Sequence, residues 1–259
     1  MVDQRALLAA RVERARNSLD TLVATVANMS DEEVTAPSLL PGWTRGHVIT
    51  HIARNADGMA NLAAWAVTGE PRPMYPSRES RDADIDAGAS RSTADLADDL
   101  TLSGRRFADA WQHVVAADEP ALRAALARRM HLGAPSPHAP GITGALAPVA
   151  RRREIEVHRV DLGLDENTAT DWPTDFPAEL LDAVAPTRIS ADGLAGVARL
   201  VDDEGVRWPL SAQSTGLTLQ GPTWALALWL IGRRVNGSVL LAIDEQGSAR
   251  SVPSPQAWV

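Results

Sequence analysis

The most informative segment of the chain has the pattern of a single helix and reads Arg153-Glu154-Ile155-Glu156-Val157-His158-Arg159-Val160-Asp161-Leu162. Residues four positions apart lie on the same face of a helix, so Glu154 and His158 point the same way. Ala147 and Ala150 lie near the same line, which places Glu154 on a stripe of small residues. An unpaired carboxylate there would be costly, and a cation shared with His158 would compensate it. Glu156 points to the opposite side, where a charged residue is expected.

Other interpretations of this pair remain open at the level of sequence. Glutamate and histidine at this spacing are common on solvated helix faces, and a histidine satisfied in the core is common too. A metal site needs a further ligand, and residues 40–52 contain two histidines one helical turn apart. His51 shares a helix face with Asn55. Periodicity alone does not decide between His47 and His51.

Long helices are predicted for most of the first 165 residues. Between residues 8 and 26, apolar residues recur at alternating spacings of four and three, the seam of a helix packed against others. Ser30 and Glu33 have capping-box spacing, which predicts a short helical turn. Thr44 is a suitable N-cap for a second long helix, to about residue 67. Further helices are predicted from about residue 93, over 120–130 and over 143–162.

Two segments rich in turn-forming residues separate these helices. Residues 70–89 predict a long surface loop, and its unusual length suggests a lid or a binding role. Residues 131–141 predict a second loop. After residue 171 the pattern changes to a helix over 176–184, strands over 197–201, 216–220 and 238–243, and a helix over 224–234.

The expected fold class is therefore α+β, with two domains. Residues 1–168 are predicted to form an antiparallel four-helix bundle, and residues 172–259 a small C-terminal α/β domain. No signal peptide and no apolar run long enough to span a membrane is visible, so a cytoplasmic protein with no membrane partner is expected. A monomer is compatible with the sequence, which does not decide the oligomeric state.

Composition excludes several classes of chemistry. The net charge is -8, which argues against a nucleic-acid partner, although Arg151 to Arg153 form a short basic run. The more common interpretation of that run is a helix turn pointing partly into solvent. The chain contains neither lysine nor cysteine, so Schiff-base chemistry and a protein thiolate are excluded. Any thiol chemistry here uses a thiol from outside.

Three motifs resemble a known family. The sequence Pro41-Gly42-Trp43, followed by His51, resembles the DinB-like bundle superfamily. The signature Glu154-x-x-x-His158-x-x-Asp161-Leu162 is similar to that of its mycothiol-dependent maleylpyruvate isomerase branch, and Trp229-Leu230-Ile231-Gly232-Arg233 to the helix ending of that branch's C-terminal domain. The resemblance implies that His51, Glu154 and His158 bind Zn²⁺ or another divalent metal, with His47 as a neighbour. It also implies mycothiol as the thiol cosubstrate.

The function implied by the resemblance is the cis-trans isomerisation of maleylpyruvate to fumarylpyruvate. The partners would be a small-molecule substrate and a low-molecular-weight thiol, in a cleft expected between the domains. Arg233 is the candidate catalytic residue for holding the substrate, and its alternative role is to satisfy carbonyls at a helix end. Two other functions remain open: a mycothiol S-transferase acting on an electrophilic metabolite or antibiotic, and a metal-stabilised binding module without activity. A metal-bound hydroxide would instead make the protein a hydrolase.

Overall fold

The computed structural model describes residues 3–131, 141–164, 168–190, 193–212, 216–235 and 239–254. The chain divides into two compact units, Met1–Leu164 and Asp165–Val259. Helices and a small sheet are both present, which confirms a mixed α and β fold. Within the described residues, no helix is both long enough and apolar enough to cross a membrane.

The first unit is built mainly of helices. They are α1 (Gln4–Ala27), α2 (Asp31–Thr35), α3 (Arg45–Thr68), α4 (Arg78–Gly88), α5 (Thr93–Ala116), α6 (Glu119–Ala127) and α7 (Ala147–Asp161). Two short strands, β1 (Arg129–Met130) and β2 (Ile142–Thr143), pair antiparallel, and a 3₁₀ turn over Gly144–Leu146 leads into α7. The predicted helices are therefore confirmed, with small shifts at their ends. Most of the second predicted loop, residues 132–140, lies outside the described residues.

Helix α3 begins and ends where its side chains predict. The Thr44 hydroxyl accepts a hydrogen bond from the His47 backbone N–H, which otherwise has no partner in the first turn. Gly69 ends the helix with a φ of 81°, a left-handed conformation that glycine adopts without strain. Ser30 and Glu33 form the predicted capping box at the start of α2.

The four longest elements of this unit pack in a closed pattern. Helix α1 packs on α5 and α7, and α3 also packs on α5 and α7. Helix α7 contributes Ala150 to one buried apolar cluster and Ile155 to a second cluster. The segment that carries Glu154 therefore lies between the two parts of the core.

The prediction that residues 70–89 are all loop is wrong, because they contain α4. The Ser77 side chain caps this helix by accepting from the Ser80 backbone N–H at 3.1 Å, and Ile85 anchors it in the core. Close contact with α3 depends on Gly88, where a Cβ would lie 2.4 Å from Thr50 Cγ2. Most residues of α4 are polar and only one face of the helix is buried, so its sequence resembles that of a loop.

The two expectations of solvated charges on α7 are also wrong. Arg151 and Arg152 are 1% and 3% exposed, so these two members of the arginine run do not point into solvent, while Arg153 is half-buried. Glu156 is 1% exposed, and its Oε1 accepts a hydrogen bond of 2.6 Å from Ser18 on α1. Arg159 donates to the other oxygen, Oε2. Helix α7 is thus buried on both sides, and the charges of Glu156 and Arg159 pair inside the protein.

The second unit contains a five-stranded sheet and two helices. The helices are α8 (Phe176–Val184) and α9 (Thr223–Leu230); the strands are β3 (Val197–Val201), β4 (Arg207–Pro209), β5 (Leu217–Gln220), β6 (Leu241–Ile243) and β7 (Ala249–Arg250). The sheet order is β4-β3-β5-β6-β7, with only β3 and β5 parallel among these neighbours. Helix α9 ends four residues earlier than expected, because Gly232 adopts a φ of 75° and terminates it.

Candidate metal centre

Helix α3 carries His51 into the interior of the first unit. The residue is 5% exposed and lies two helical turns after the Thr44 cap. The Trp43 ring, at the start of the helix, lies 5.6 Å from the His51 ring between centroids. His51 faces α7, which packs directly against α3. The local helix and its cap therefore fix the position of the first candidate ligand.

Helix α7 brings Glu154 and His158 to the same place. Glu154 Oε2 lies 3.2 Å from His51 Nε2 and 3.8 Å from His158 Nε2. The two imidazole rings meet edge to face with centroids 4.8 Å apart. One ligand atom from each of the three residues lies within 4.8 Å of the others. Three residues predicted from spacing and resemblance are thus neighbours in the structure.

The two separations that involve Glu154 are close to those around a divalent metal ion. Two ligand atoms bound at about 2.0–2.1 Å to a tetrahedral zinc ion lie about 3.3 Å from each other. The distances of 3.2 and 3.8 Å to Glu154 Oε2 bracket this value. Two imidazoles and one carboxylate are a ligand set of catalytic sites, which keep a position for water or substrate. These three residues are able to hold such an ion.

The electrostatics of the cluster favour the protonation states that bind a metal. Burial lowers the pKa of His51 to about 4, so its ring is neutral at pH 7. Burial opposes ionisation of Glu154, but the hydrogen bond from His51 and the adjacent His158 ring hold the pKa of its carboxyl below the usual value. A neutral imidazole and an ionised carboxylate are the forms that coordinate metals, and His51 and Glu154 have these forms at pH 7.

Outer hydrogen bonds orient the two histidines differently. Asp161 Oδ2 lies 2.8 Å from His158 Nδ1, so Nδ1–H donates to the carboxylate and Nε2 is the ring nitrogen on the side of Glu154. On His51, Nδ1 lies 3.3 Å from Arg81 Nη2. Arginine only donates, so in this arrangement His51 Nδ1 accepts and its Nε2–H donates to Glu154.

Arg151 holds α7 against α3 next to the cluster. Its Nη1 donates to the Ile52 carbonyl at 2.8 Å and to Asn55 Oδ1 at 2.9 Å. Burial lowers the pKa of Arg151 to about 10, which still leaves the guanidinium charged at neutral pH. The arginine run was singled out in the sequence as a possible surface patch, but Arg151 instead supports the helix that carries His51.

The other predicted residues lie outside the cluster. His47 Nδ1 lies 2.7 Å from the Thr44 hydroxyl, and its Nε2 lies 3.6 Å from Asp86. His47 therefore belongs to the cap of α3. Arg233 lies in the second unit, where its Nη1 donates to the Ile231 carbonyl at 3.0 Å after the end of α9. That contact matches the carbonyl-satisfying role, and a role of Arg233 in substrate binding stays a prediction.

A cavity beside the cluster contains functional candidates that the sequence did not single out. It has a volume of about 580 Å³, and His51 and Glu154 form part of its wall. Arg81 and Tyr75, the chain's single tyrosine, also line it. Both residues come from the segment predicted as a lid or binding loop. The concentration of Pro, Tyr and Arg there is the signal that could have marked them.

Comparisons with known proteins agree with this geometry. A family model described as the mycothiol maleylpyruvate isomerase N-terminal domain matches residues 15–163. No curated protein matches the chain in sequence. Two crystal structures, of a mycothiol-dependent maleylpyruvate isomerase and of a histidine-to-alanine mutant of it, are similar over 100% of this chain and 100% of their own, each at 26% identity and a TM-score of 0.80. Since the family model covers more than half of the sequence, the chain belongs to the mycothiol-dependent maleylpyruvate isomerase family.

Proposed function

We propose that the protein is a metal-dependent enzyme that uses mycothiol as its nucleophile, with maleylpyruvate as the first candidate substrate. The observation that carries the proposal is the position of His51, Glu154 and His158, a set of three candidate ligands among the described residues. Two of them, His51 and Glu154, line a cavity. A closed set of four protein ligands would instead favour a structural metal. Zinc is the first choice of metal, and other divalent ions suit the same ligands.

The residues of the chain would bind and position, while the nucleophile comes from outside. A divalent ion bound there would keep the sulfur of an incoming thiol in its thiolate form. His51 and His158 are neutral donors, and Glu154 supplies one negative charge, so the site retains net positive charge to attract an anionic thiolate. The lack of cysteine and lysine agrees with an imported nucleophile.

The proposed reaction is addition of the thiolate to the conjugated double bond, followed by elimination. A carbon–sulfur bond forms while the π electrons move onto the neighbouring carbonyl as an enolate. The former double bond is then single and rotates. Collapse of the enolate expels the thiolate and restores the double bond in the trans form, giving fumarylpyruvate. Covalent catalysis of this kind replaces one difficult rotation by easier steps. Arg233 is proposed to hold a carboxylate of the substrate.

The second candidate is a mycothiol S-transferase, which keeps the sulfur on the substrate. The observation that favours it is the apolar wall of the cavity, which includes Met59, Trp65 and Met74. Such a wall suits a more apolar electrophile than maleylpyruvate. The two functions differ in the fate of the thiol, because an isomerase regenerates mycothiol and a transferase consumes it.

The decisive experiment is product analysis of the metal-loaded full chain with maleylpyruvate, with and without mycothiol. We expect fumarylpyruvate to form only when mycothiol is present, and the thiol to be recovered in full. Glu154→Gln should abolish turnover, and His113→Gln, a change at an exposed histidine, should leave it intact. Full turnover of a substrate without thiol would show that a metal-bound hydroxide acts instead, and would refute the proposed function.

Two finer features of the fold are proposed with the function. The closed packing of α1, α3, α5 and α7 supports an antiparallel four-helix bundle. The two compact units support domains at residues 1–168 and 172–259. Limited proteolysis should cut the native chain between these ranges and leave two resistant fragments. Cleavage first within α3 or α7 would contradict this division.

A further inference from the structure

The cavity beside the metal-ligand candidates differs in character between its two ends. At one end lie His51, Glu154 and Arg81. The rest of the wall is largely apolar and includes Met59, Trp65, Met74 and the prolines Pro71, Pro73 and Pro76. Its volume of about 580 Å³ lies in the range of sites that bind small organic molecules. A ligand that fills it needs a polar end and an apolar body.

Arg81 is the cation best placed to bind an anion at the polar end. Its side chain is 26% exposed, and its guanidinium lies 5.9 Å from the centroid of the Tyr75 ring. Nη1 donates to Asp82 Oδ1 at 2.8 Å, while Nη2 faces His51. The guanidinium fork matches the geometry of a carboxylate. Burial raises the pKa of Tyr75, so its hydroxyl stays protonated and can donate a second hydrogen bond there.

A metal ion on His51 would free the Nη2 group of Arg81. His51 Nδ1 accepts from Arg81 only while the ring proton is on Nε2. A ligating Nε2 requires the proton on Nδ1, and two N–H groups cannot bond to each other. The Arg81 donor nearest the metal-ligand candidates would then need a new acceptor, and a substrate carboxylate is one.

Among the described residues, the other polar groups of the cavity wall do not make a second strong anion site. The Arg78 side chain is 83% exposed and lies 3.7 Å from Asp82, so solvent and a carboxylate both weaken its attraction. His131, whose ring lies 6.5 Å from the Trp65 ring, has a buried Nδ1 without a hydrogen-bond partner. That single ring nitrogen can make one hydrogen bond to a ligand, whereas a guanidinium fork makes two parallel bonds to a carboxylate. A second carboxylate at the far end would be desolvated against that wall.

We propose that this cavity binds unsaturated monocarboxylates with an apolar body, with the carboxylate on Arg81 and the body against Trp65 and Met74. The inference rests on the proposed function, because this ligand is the electrophile that the thiol attacks. Arg81 is then a specificity-determining residue within the first unit, and the preferred substrate is more apolar than maleylpyruvate. Both the isomerase and the transferase reaction are compatible with such a substrate.

The test is calorimetric titration of the zinc-loaded full chain, without mycothiol, with three probes. trans-Cinnamate carries one carboxylate and a phenyl ring, crotonate lacks the ring, and maleate carries two carboxylates. All three carry a carboxylate for Arg81 and meet the same bound zinc, so differences among them report on the rest of the cavity. We expect cinnamate to bind at least roughly tenfold more tightly than crotonate or maleate, because burial of the ring contributes the difference.

Substitutions in the cavity wall test which residue binds the carboxylate and which residue binds the apolar body of the ligand. Arg81→Met should weaken cinnamate binding about tenfold or more, whereas Arg72→Met, at an exposed neighbouring arginine outside the cavity wall, should leave it unchanged. Trp65→Leu should weaken cinnamate and leave crotonate unchanged. Equal or tighter binding of maleate, or unchanged cinnamate binding in Arg81→Met, would overturn the inference. Neither result would touch the proposed function, which fails instead if turnover proceeds without thiol.

Discussion

At the scale of single residues, the hydrogen bond between Asp161 and His158 is the contact that most directly tunes the candidate metal centre. The carboxylate is 1% exposed and lies 2.8 Å from His158 Nδ1. It engages Nδ1–H and orients the ring, so Nε2 is the nitrogen left to bind a metal. We expect Asp161→Asn to weaken zinc binding about 10- to 100-fold, because the charge is lost while the shape is kept. Competition against a metal-binding dye measures the change.

The matched control is a second aspartate–histidine pair among the described residues of the first unit. Asp86 lies 3.6 Å from His47 Nε2, outside the candidate cluster, and its side chain is 75% exposed. Asp86→Asn should leave zinc affinity unchanged. If both substitutions weaken zinc binding equally, the effect of Asp161 is not specific to the metal centre.

A second residue-scale prediction concerns the buried charge on the far side of α7. Ser18 donates to Glu156 at 2.6 Å, and both groups are buried. Hydrogen bonds to buried charged groups typically contribute about 1.5–3 kcal/mol. Ser18→Ala should therefore lower the free energy of unfolding by about 1.5–3 kcal/mol, measured by urea denaturation.

The neighbouring Thr21 provides the comparison on the same helix. Its hydroxyl donates to the Asn17 carbonyl at 3.2 Å on an exposed face. Thr21→Ala should change stability by less than about 0.5 kcal/mol. Equal losses in Ser18→Ala and Thr21→Ala would mean that the buried bond to Glu156 makes no special contribution.

Side-chain spacing predicts contacts within a helix better than contacts between helices. Glu154 and His158 are neighbours because α7 is a regular helix, and their spacing alone shows this. Ser18 lies on α1 and Asn55 on α3, so no local pattern reveals the contacts that they make with the buried Glu156 and Arg151. The choice of His51 over His47 came from family resemblance. In the structure, the His47 side chain contacts the Thr44 hydroxyl in the cap at the start of α3, away from Glu154 and His158.

At the scale of elements, glycine decides how closely α4 approaches α3. A Cβ at Gly46 would lie 2.0 Å from the Ala89 carbonyl oxygen, at the end of α4. A backbone atom cannot rotate away, so Gly46→Ala should separate these helices and cost about 1–3 kcal/mol of stability. Thermal unfolding measures the loss.

A second helical glycine shows what the same substitution does where the neighbour is a side chain. A Cβ at Gly104 would approach Leu19 Cδ2, the end of a side chain that can change rotamer. The substitution also gains helix propensity, by about 1 kcal/mol. Gly104→Ala should therefore be less destabilising than Gly46→Ala. If Gly104→Ala lowered stability more than Gly46→Ala, the contact between α3 and the end of α4 would accommodate an added methyl group more easily than the core around Leu19 does.

The elements that sequence predicts well are those with a long periodic pattern. Helices α1, α3 and α5 each run for 24 residues, long enough for the apolar seam to repeat many times. Strands β4 and β7 have three and two residues, too few for alternation to stand out, and they were not predicted. Helix α4 was missed because Ile85 is its main apolar anchor. Short elements depend on their tertiary partners, and a local pattern does not contain those partners.

At the scale of the whole molecule, the candidate metal centre links parts of the chain that are distant in sequence. His51 and Glu154 are separated by 103 residues, and they meet only when α3 packs on α7. An ion bound to them therefore binds the folded chain and not the unfolded one. Any ligand with this property raises the free energy of unfolding by mass action.

The resulting prediction is a metal-dependent rise in thermal stability of the full chain. Free zinc at 100 times its dissociation constant should stabilise the folded state by about 2.7 kcal/mol. For a unit of this size the corresponding shift of the unfolding midpoint is about 5–10 °C, measurable by calorimetry. Glu154→Gln should lose most of this shift, whereas His113→Gln should keep it, since His113 lies on the exposed face of α5. An equal shift in wild type and Glu154→Gln would show that zinc binds elsewhere. The reason is that Glu154 is the single carboxylate of the proposed site, and a neutral amide in its place cannot bind zinc with the same affinity.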